Sequence, residues 1–351
     1  MNCWTSRLAA FAAVLASAAM AADLPSSKEG DWIAPEFRFH TGEVLKDVRM
    51  HYVTFGDPKN DAILVLHGTG GSSQSMLTPG FAGLLFGPGQ PLDASRYYII
   101  VTDALGAGKS AKPSDGLRAK FPRYDYDDMV EGQHRLLIEH LGVKHLRMVI
   151  GNSMGGMQAW MWAGRYPGYV DIAVPMACLP TAMSGRNWIM RRLLVDSIRG
   201  DPGYLGGEYK EQPHGFKMAA AFYGYAMAGG NQALYKAAPT SESGDKLVNA
   251  RLAAPFKADA NDFVYQWESS YDYDPSPGLE RITATVLAIN AADDERNPPE
   301  LGILDREIQR VKNGRVLLIP ASPETSGHLT TGSARFYKDE LARVLREAPR
   351  L

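Results

Sequence analysis

Two cysteines in 351 residues cannot build a disulfide framework, so the core must hold this fold. Charge of one sign is equally scarce: 37 Lys and Arg stand against 39 Asp and Glu, a formal net charge of −2. That balance leaves neither a basic stripe for nucleic acid nor an acidic tail. The eight histidines form no H-E-x-x-H pair and no Cys/His cluster, which excludes the usual catalytic zinc motifs. No internal repeat or low-complexity tract occurs. Long apolar runs are missing too, since the stretch from Leu8 to Ala21 is too short and too rich in alanine to span a bilayer comfortably. What is present is a 45% hydrophobic chain able to bury a large core, within the range of one α/β domain carrying an insertion. Its expected partner is a small molecule rather than nucleic acid, and a homodimer is compatible with the composition.

The N-terminal segment MNCWTSRLAAFAAVLASAAMAADLP places Arg7 before its apolar run and ends that run in Ala19-Met20-Ala21, a small-x-small cleavage site. It reads as a secretory signal peptide over residues 1–21, sending the mature chain to the periplasm or outside with no stable membrane anchor. Cleavage after Ala21 removes Arg7, so the net charge becomes −2 minus +1, or −3; it also removes Cys3 and leaves Cys178 alone. Cys178 follows the apolar run DIAVPMA and is expected to be a buried, inert thiol.

Short apolar runs recur at 62–68, 97–104, 145–152, 171–177, 284–291 and 315–321, separated by longer helix-compatible stretches. This alternation predicts a mostly parallel sheet covered by helices on both faces. Before it, FRFHTG and VRMHYVTFG predict an antiparallel lead-in pair. Between residues 181 and 275 the strand rhythm stops, and NWIMRRLLVDSIRG and FKMAAAFYGYAMAGG predict an inserted helical lid, with PTSESGD as a loop inside it. The expected division is therefore 22–180 for the first part of the core, 181–275 for the lid and 276–351 for the second part.

Reactive groups of open parallel sheets gather at the carboxyl ends of the strands. Gly151-Asn152-Ser153-Met154-Gly155 lies there and fits G-x-S-x-G, a sharp turn that lifts a serine hydroxyl above the sheet edge. A serine is a weak nucleophile until a base takes its proton, and imidazole serves best when an acid fixes its tautomer. His328, in the loop SPETSGH after the last strand, is the candidate base. Asp293 and Asp294 follow the 284–291 run, and either could be the acid or simply the N-terminal charge of the next helix. The order Ser, Asp, His is the one an elbow serine requires. For the oxyanion, the Met154 N–H heads a helix and a second N–H is expected from HGTGG, with Thr69 the best candidate. GAGKS at 106–110 imitates a phosphate loop but carries Asp103 where that motif needs glycine. No cofactor is needed for this chemistry.

These residues resemble the α/β-hydrolase superfamily and, within it, the homoserine O-acetyltransferase-like group. The resemblance covers most of residues 40–351: LHGTGGS is similar to the oxyanion loop, DALGAGKSAKP to the loop after the next strand, and GNSMGGMQAWMWAGRYP to the transacylase elbow and helix. ADDERNPPE resembles the acid loop, where a proline lies four places after the aspartate; Pro298 stands four beyond Asp294, which the resemblance therefore selects over Asp293. In the lid the likeness is loose, resting on GDPGYLGGEY and DANDF. The resemblance implies an α/β-hydrolase fold with a helical lid.

Two departures bear on activity. The resemblance implies an aspartate after the catalytic histidine to hold the amino group of homoserine, and this chain has Leu329. It also implies a lid arginine for the substrate carboxylate, where the roughly corresponding stretch reads ALYKAAPT. An exported enzyme would, moreover, rarely meet acyl-CoA. The expectation is an exported serine hydrolase cleaving a carboxylic ester, or a lactone or amide, with an uncharged and rather apolar substrate. An acyltransferase with the same three residues is the first alternative, and a noncatalytic binding protein on the same fold is the second.

Overall fold

The computed structural model describes residues 24–351; the expected leader lies outside them. A single sheet organises the chain: β1 (Ser27–Arg38), β2 (Val44–Phe55), β3 (Asp61–Leu66), β4 (Tyr97–Thr102), β5 (Leu146–Asn152), β6 (Val170–Met176), β7 (Thr285–Ala291) and β8 (Gly314–Ile319). Its spatial order is β1-β2-β4-β3-β5-β6-β7-β8. The β1–β2 and β2–β4 pairs are antiparallel and the rest are parallel, with Val65 opposite both Val101 and Ile150. The six apolar runs are these parallel strands. The lead-in pair differs in one respect: FRFHTG marks the end of β1 and its turn, and the strand itself lies upstream in the polar stretch SKEGDWIAPEFR. β1 is an edge strand, largely exposed, so the apolar pattern that reveals buried strands is weak there.

Side chains of β3 alternate between two cores, Leu64 and Leu66 joining one face while Ile63 and Val65 join the other. Burial on both faces is why the parallel strands read as near-continuous apolar runs. The helices α1 (Tyr126–Arg135), α2 (Met154–Arg165) and, C-terminal to β8, α8 (Lys338–Glu347) supply partners such as Met129, Trp160 and Leu341.

Between β6 and β7 the chain runs through α3 (Gly185–Arg199), α4 (Phe216–Ala228), α5 (Asn231–Ala237), α6 (Ser241–Ala253) and α7 (Ala260–Glu268). These helices share a separate core that includes Leu194, Ile198, Phe216, Met227, Val264 and Trp267. PTSESGD is not a loop, as its composition implied, but the start of α6. Thr240 and Ser243 cap each other's backbone N–H, at 3.0 and 3.3 Å, so residues that favour loops here nucleate a helix. α7 is tied to the body below it: the Gln266 amide donates to the Gly106 carbonyl at 2.6 Å, and Asp262 accepts from the Ser114 N–H at 2.8 Å and from its hydroxyl at 2.6 Å. No helix among the described residues is long and apolar enough to cross a membrane.

Candidate active site

β5 passes into α2 through Ser153, whose φ of 56° and ψ of −112° put a non-glycine residue in a strained backbone region. The flanking glycines make the turn feasible, because a Cβ on Gly151 would collide with the Gly155 carbonyl and one on Gly155 with the Leu66 carbonyl. The turn holds the Ser153 hydroxyl at the carboxyl end of the sheet, 2.9 Å from Nε2 of His328. Nδ1 of the same imidazole lies 2.9 Å from Oδ2 of Asp294. With Nδ1–H donating to the carboxylate, Nε2 offers its lone pair to the serine proton. Serine, histidine and the second aspartate thus lie together, each buried.

Asp294 accepts two further bonds, from the Arg296 N–H at 2.8 Å and the Asn297 amide at 2.9 Å. Burial opposes its ionisation, but His328 and these donors prevail and hold its carboxyl below the usual value. Burial likewise lowers the His328 pKa, and Arg296 lowers it further against the pull of Asp294, which keeps the imidazole neutral. Asp293 acts elsewhere, its carboxylate accepting from the Thr325 hydroxyl at 2.7 Å and so steadying the loop that carries His328.

Met154 is the first residue of α2, so its N–H has no acceptor within the helix. Thr69 sits in the loop after β3, which His67 pins by bonding the Gly68 carbonyl at 2.8 Å and accepting from the Ala104 N–H at 3.0 Å. There the Gly70 N–H is taken by Gln266 at 2.9 Å, and the Thr69 hydroxyl has no partner among the described residues. Asp103, the residue that disqualified the phosphate-loop reading, braces the next loop through the Lys109 N–H at 2.7 Å. Cys178 is buried and its thiol pushed well up by that burial, which suits an inert residue.

Sequence reasoning missed Asn297, Arg191 and Arg296. Asn297 also reaches the Ala177 carbonyl at 3.0 Å, fixing the acid loop to the end of β6; the residue between Asp294 and Pro298 carried no motif to reveal it. Arg191, on α3, is only 1% exposed and stands 4.8 Å over the Trp267 ring. Arg296 stands 5.1 Å over the Tyr223 ring, with its Nε donating to the Met227 carbonyl at 3.2 Å. Of the lid aromatics, Tyr223 lies in this wall, whereas Phe222 is 67% exposed. Leu329, expected beside the base, is 62% exposed and faces a cavity of about 430 Å³ bounded by α4, α5 and α6.

Away from this site, His40, Asp125 and Asp272 form the one group among the described residues close enough to share a metal ion. Structural duties account for part of it: Asp125 caps α1 through the Asp128 N–H at 2.8 Å, and His40 Nδ1 lies 2.7 Å from Asp128. Burial raises the Asp125 pKa to about 6.

A model of the alpha/beta hydrolase fold family matches residues 61–322. A protein of Methanothermobacter thermautotrophicus named "Probable acyltransferase" is 29% identical, over 76% of this chain and 82% of its own length. The homoserine O-acetyltransferase of Solidesulfovibrio magneticus is 37% identical over 48% of this chain and 47% of its own, about half of each, and that of Haemophilus influenzae is 30% identical over 71% of this chain and 77% of its own. An acetylester hydrolase structure from Corynebacterium glutamicum superposes with a TM-score of 0.78 at 22% identity, over 91% of this chain and 96% of that one, a likeness of fold. With the elbow, the sheet order and these matches together, the chain belongs to the alpha/beta hydrolase fold family and, within it, to the homoserine O-acetyltransferase-like group.

Proposed function

We propose that the protein is a serine hydrolase that cleaves a carboxylic ester, lactone or amide through an acyl-enzyme. The Ser153 oxygen attacks the substrate carbonyl while His328 Nε2 takes its proton. Asp294 keeps the imidazole in the required tautomer and offsets the charge of the imidazolium. The oxyanion of the tetrahedral intermediate is held by the N–H groups of Met154 and Thr69, the former with a helix dipole behind it. His328 returns the proton to the leaving group, and water then repeats the sequence to free the acid and restore Ser153. The observation that carries this reading is the unbroken line from Ser153 through His328 to Asp294, 2.9 Å at each link.

A fluorophosphonate probe tests it: the purified protein is expected to label, Ser153→Ala is not, and short-chain p-nitrophenyl esters are expected to be hydrolysed by the former alone. Labelling that persists in Ser153→Ala would place the nucleophile elsewhere. The relatives' names favour a second reading, acyl transfer to an alcohol by the same residues. Product analysis with acetyl-CoA and homoserine separates the two, and the hydrolase reading expects no O-acetylhomoserine above background. Export is part of the proposal, on the strength of residues 1–21; secreted or periplasmic protein should begin at or near Ala22, and an intact Met1 in soluble material would oppose it.

A further inference from the structure

Five buried polar atoms have no hydrogen-bond partner among the described residues: Arg191 Nη2, the Tyr126, Tyr223 and Thr69 hydroxyls, and Trp267 Nε1. Of their carriers, Arg191 lies near enough to His328 to disfavour its charged form. They form a connected set. Tyr126 is near enough to Thr69 and Arg191 for both to favour its anion against its burial. Arg191 lies over Trp267, whose ring meets Tyr223 edge-on with centroids 4.6 Å apart, and Arg296 lies over both rings. Guanidinium and indole nitrogens can only donate, so Arg191 Nη2 and Trp267 Nε1 call for an acceptor, while the three hydroxyls can donate to it as well. Buried donors left unpaired are costly, and native proteins rarely keep several together.

Charge points the same way. The other Arg191 bonds go to neutral groups, Asn187 at 3.0 Å and Ser270 at 3.1 Å, and among the described residues the Arg296 side chain has only the Met227 carbonyl. Neighbouring carboxylates are engaged elsewhere: Glu295 with Arg186 at 2.5 Å, Glu268 with Arg123 at 2.5 Å and with Arg199, and Asp294 with His328. Two guanidiniums against Asp294 leave one net positive charge near His328. We propose that Arg191 and Arg296 form an anion subsite, and that the ester cleaved here carries a carboxylate but no amino group. The carboxylate is an acceptor with about four lone-pair sites, suited to both arginines. The amino group is refused because no uncommitted carboxylate faces the wall among the described residues, and the position after His328 is an outward-facing leucine. This replaces the uncharged substrate expected from sequence, and it rests on the hydrolase reading.

Two matched pairs of esters test it and tell which half bears the charge: monoethyl glutarate against ethyl pentanoate, and 4-acetoxybutanoate against butyl acetate. The expected result is that kcat/KM for one carboxylate ester exceeds that of its neutral match by about tenfold or more. That ratio should fall in Arg191→Met and Arg296→Met and partly return in the corresponding lysine variants, a pattern that packing on Trp267 alone would not produce. Glutarate binding, followed by calorimetry, should weaken in the same variants and needs no turnover. Preference for the neutral ester in both pairs, with fluorophosphonate labelling intact, would overturn the anion subsite alone. Absent labelling with glutarate still bound would instead overturn the hydrolase reading and keep the subsite.

Discussion

The floor of the site and its roof are built on opposite rules. On the floor, the loops at the sheet's carboxyl end hold Ser153, His328, Asp294 and Asn297 in a network where each side chain has a partner within the protein. In the roof, donors on α3, α4 and α7 are buried and unpartnered among the described residues, and outer helices α5 and α6 contain no fully buried residue at all. A complete network preorganises one reaction, because its groups need not reorient as charge develops. Donors left over in the roof act only when a ligand arrives, so the roof selects what the floor transforms.

The sharpest break of this contrast lies in the floor. Ser153→Ala and His328→Ala should each lower kcat by roughly a millionfold, as residues acting as a unit do, with the circular dichroism spectrum unchanged. Asp294→Asn should cost about ten-thousandfold through a wrong tautomer. Asp293→Asn should cost far less, since it disturbs only the bonds from the Thr325 hydroxyl and the Gly327 N–H and leaves the bond between Asp294 and His328 in place; equal losses at the two positions would erase the distinction between them.

Floor and roof meet in the pH profile. Burial and then Arg296 hold His328 below 6.5, and only the neutral imidazole accepts the serine proton. The rate, measured as kcat/KM for a neutral ester, should therefore rise with pH through a midpoint below 6.5. Arg296→Met removes one depressing influence and should move that midpoint upward; an unmoved midpoint would separate roof from floor electrically.

The remaining effects concern stability. Gly155→Ala forces a Cβ against Leu66 and should cost about 3 kcal/mol in denaturant unfolding. Thr240→Ala, far out on the roof, removes the α6 cap and should cost about 1 kcal/mol with esterase activity intact.

Legibility in the sequence divides along the same line. The parallel strands announce themselves because burial on both faces demands apolar residues at successive positions, and the elbow because two backbones approach too closely for any side chain. β1 was displaced because an edge strand carries little of that pattern, and α6 was hidden because Thr240 and Ser243 serve loops and helix caps equally. Asn297 could have been noticed only as a polar residue three places beyond the acid.

Arg191 and Arg296 show why the rest required three dimensions. They are 105 positions apart by number, on a helix of the insertion and on the loop after β7, and neither belongs to a local motif. The chain itself determined the sheet, the turn at Ser153 and the chemical types of its partners, because periodicity and close backbone approach are local constraints written residue by residue. Which buried cations overlook the serine, and which carboxylates are already engaged, was decided only when the inserted helices packed back over the sheet, because burial and pairing are properties of neighbours in space.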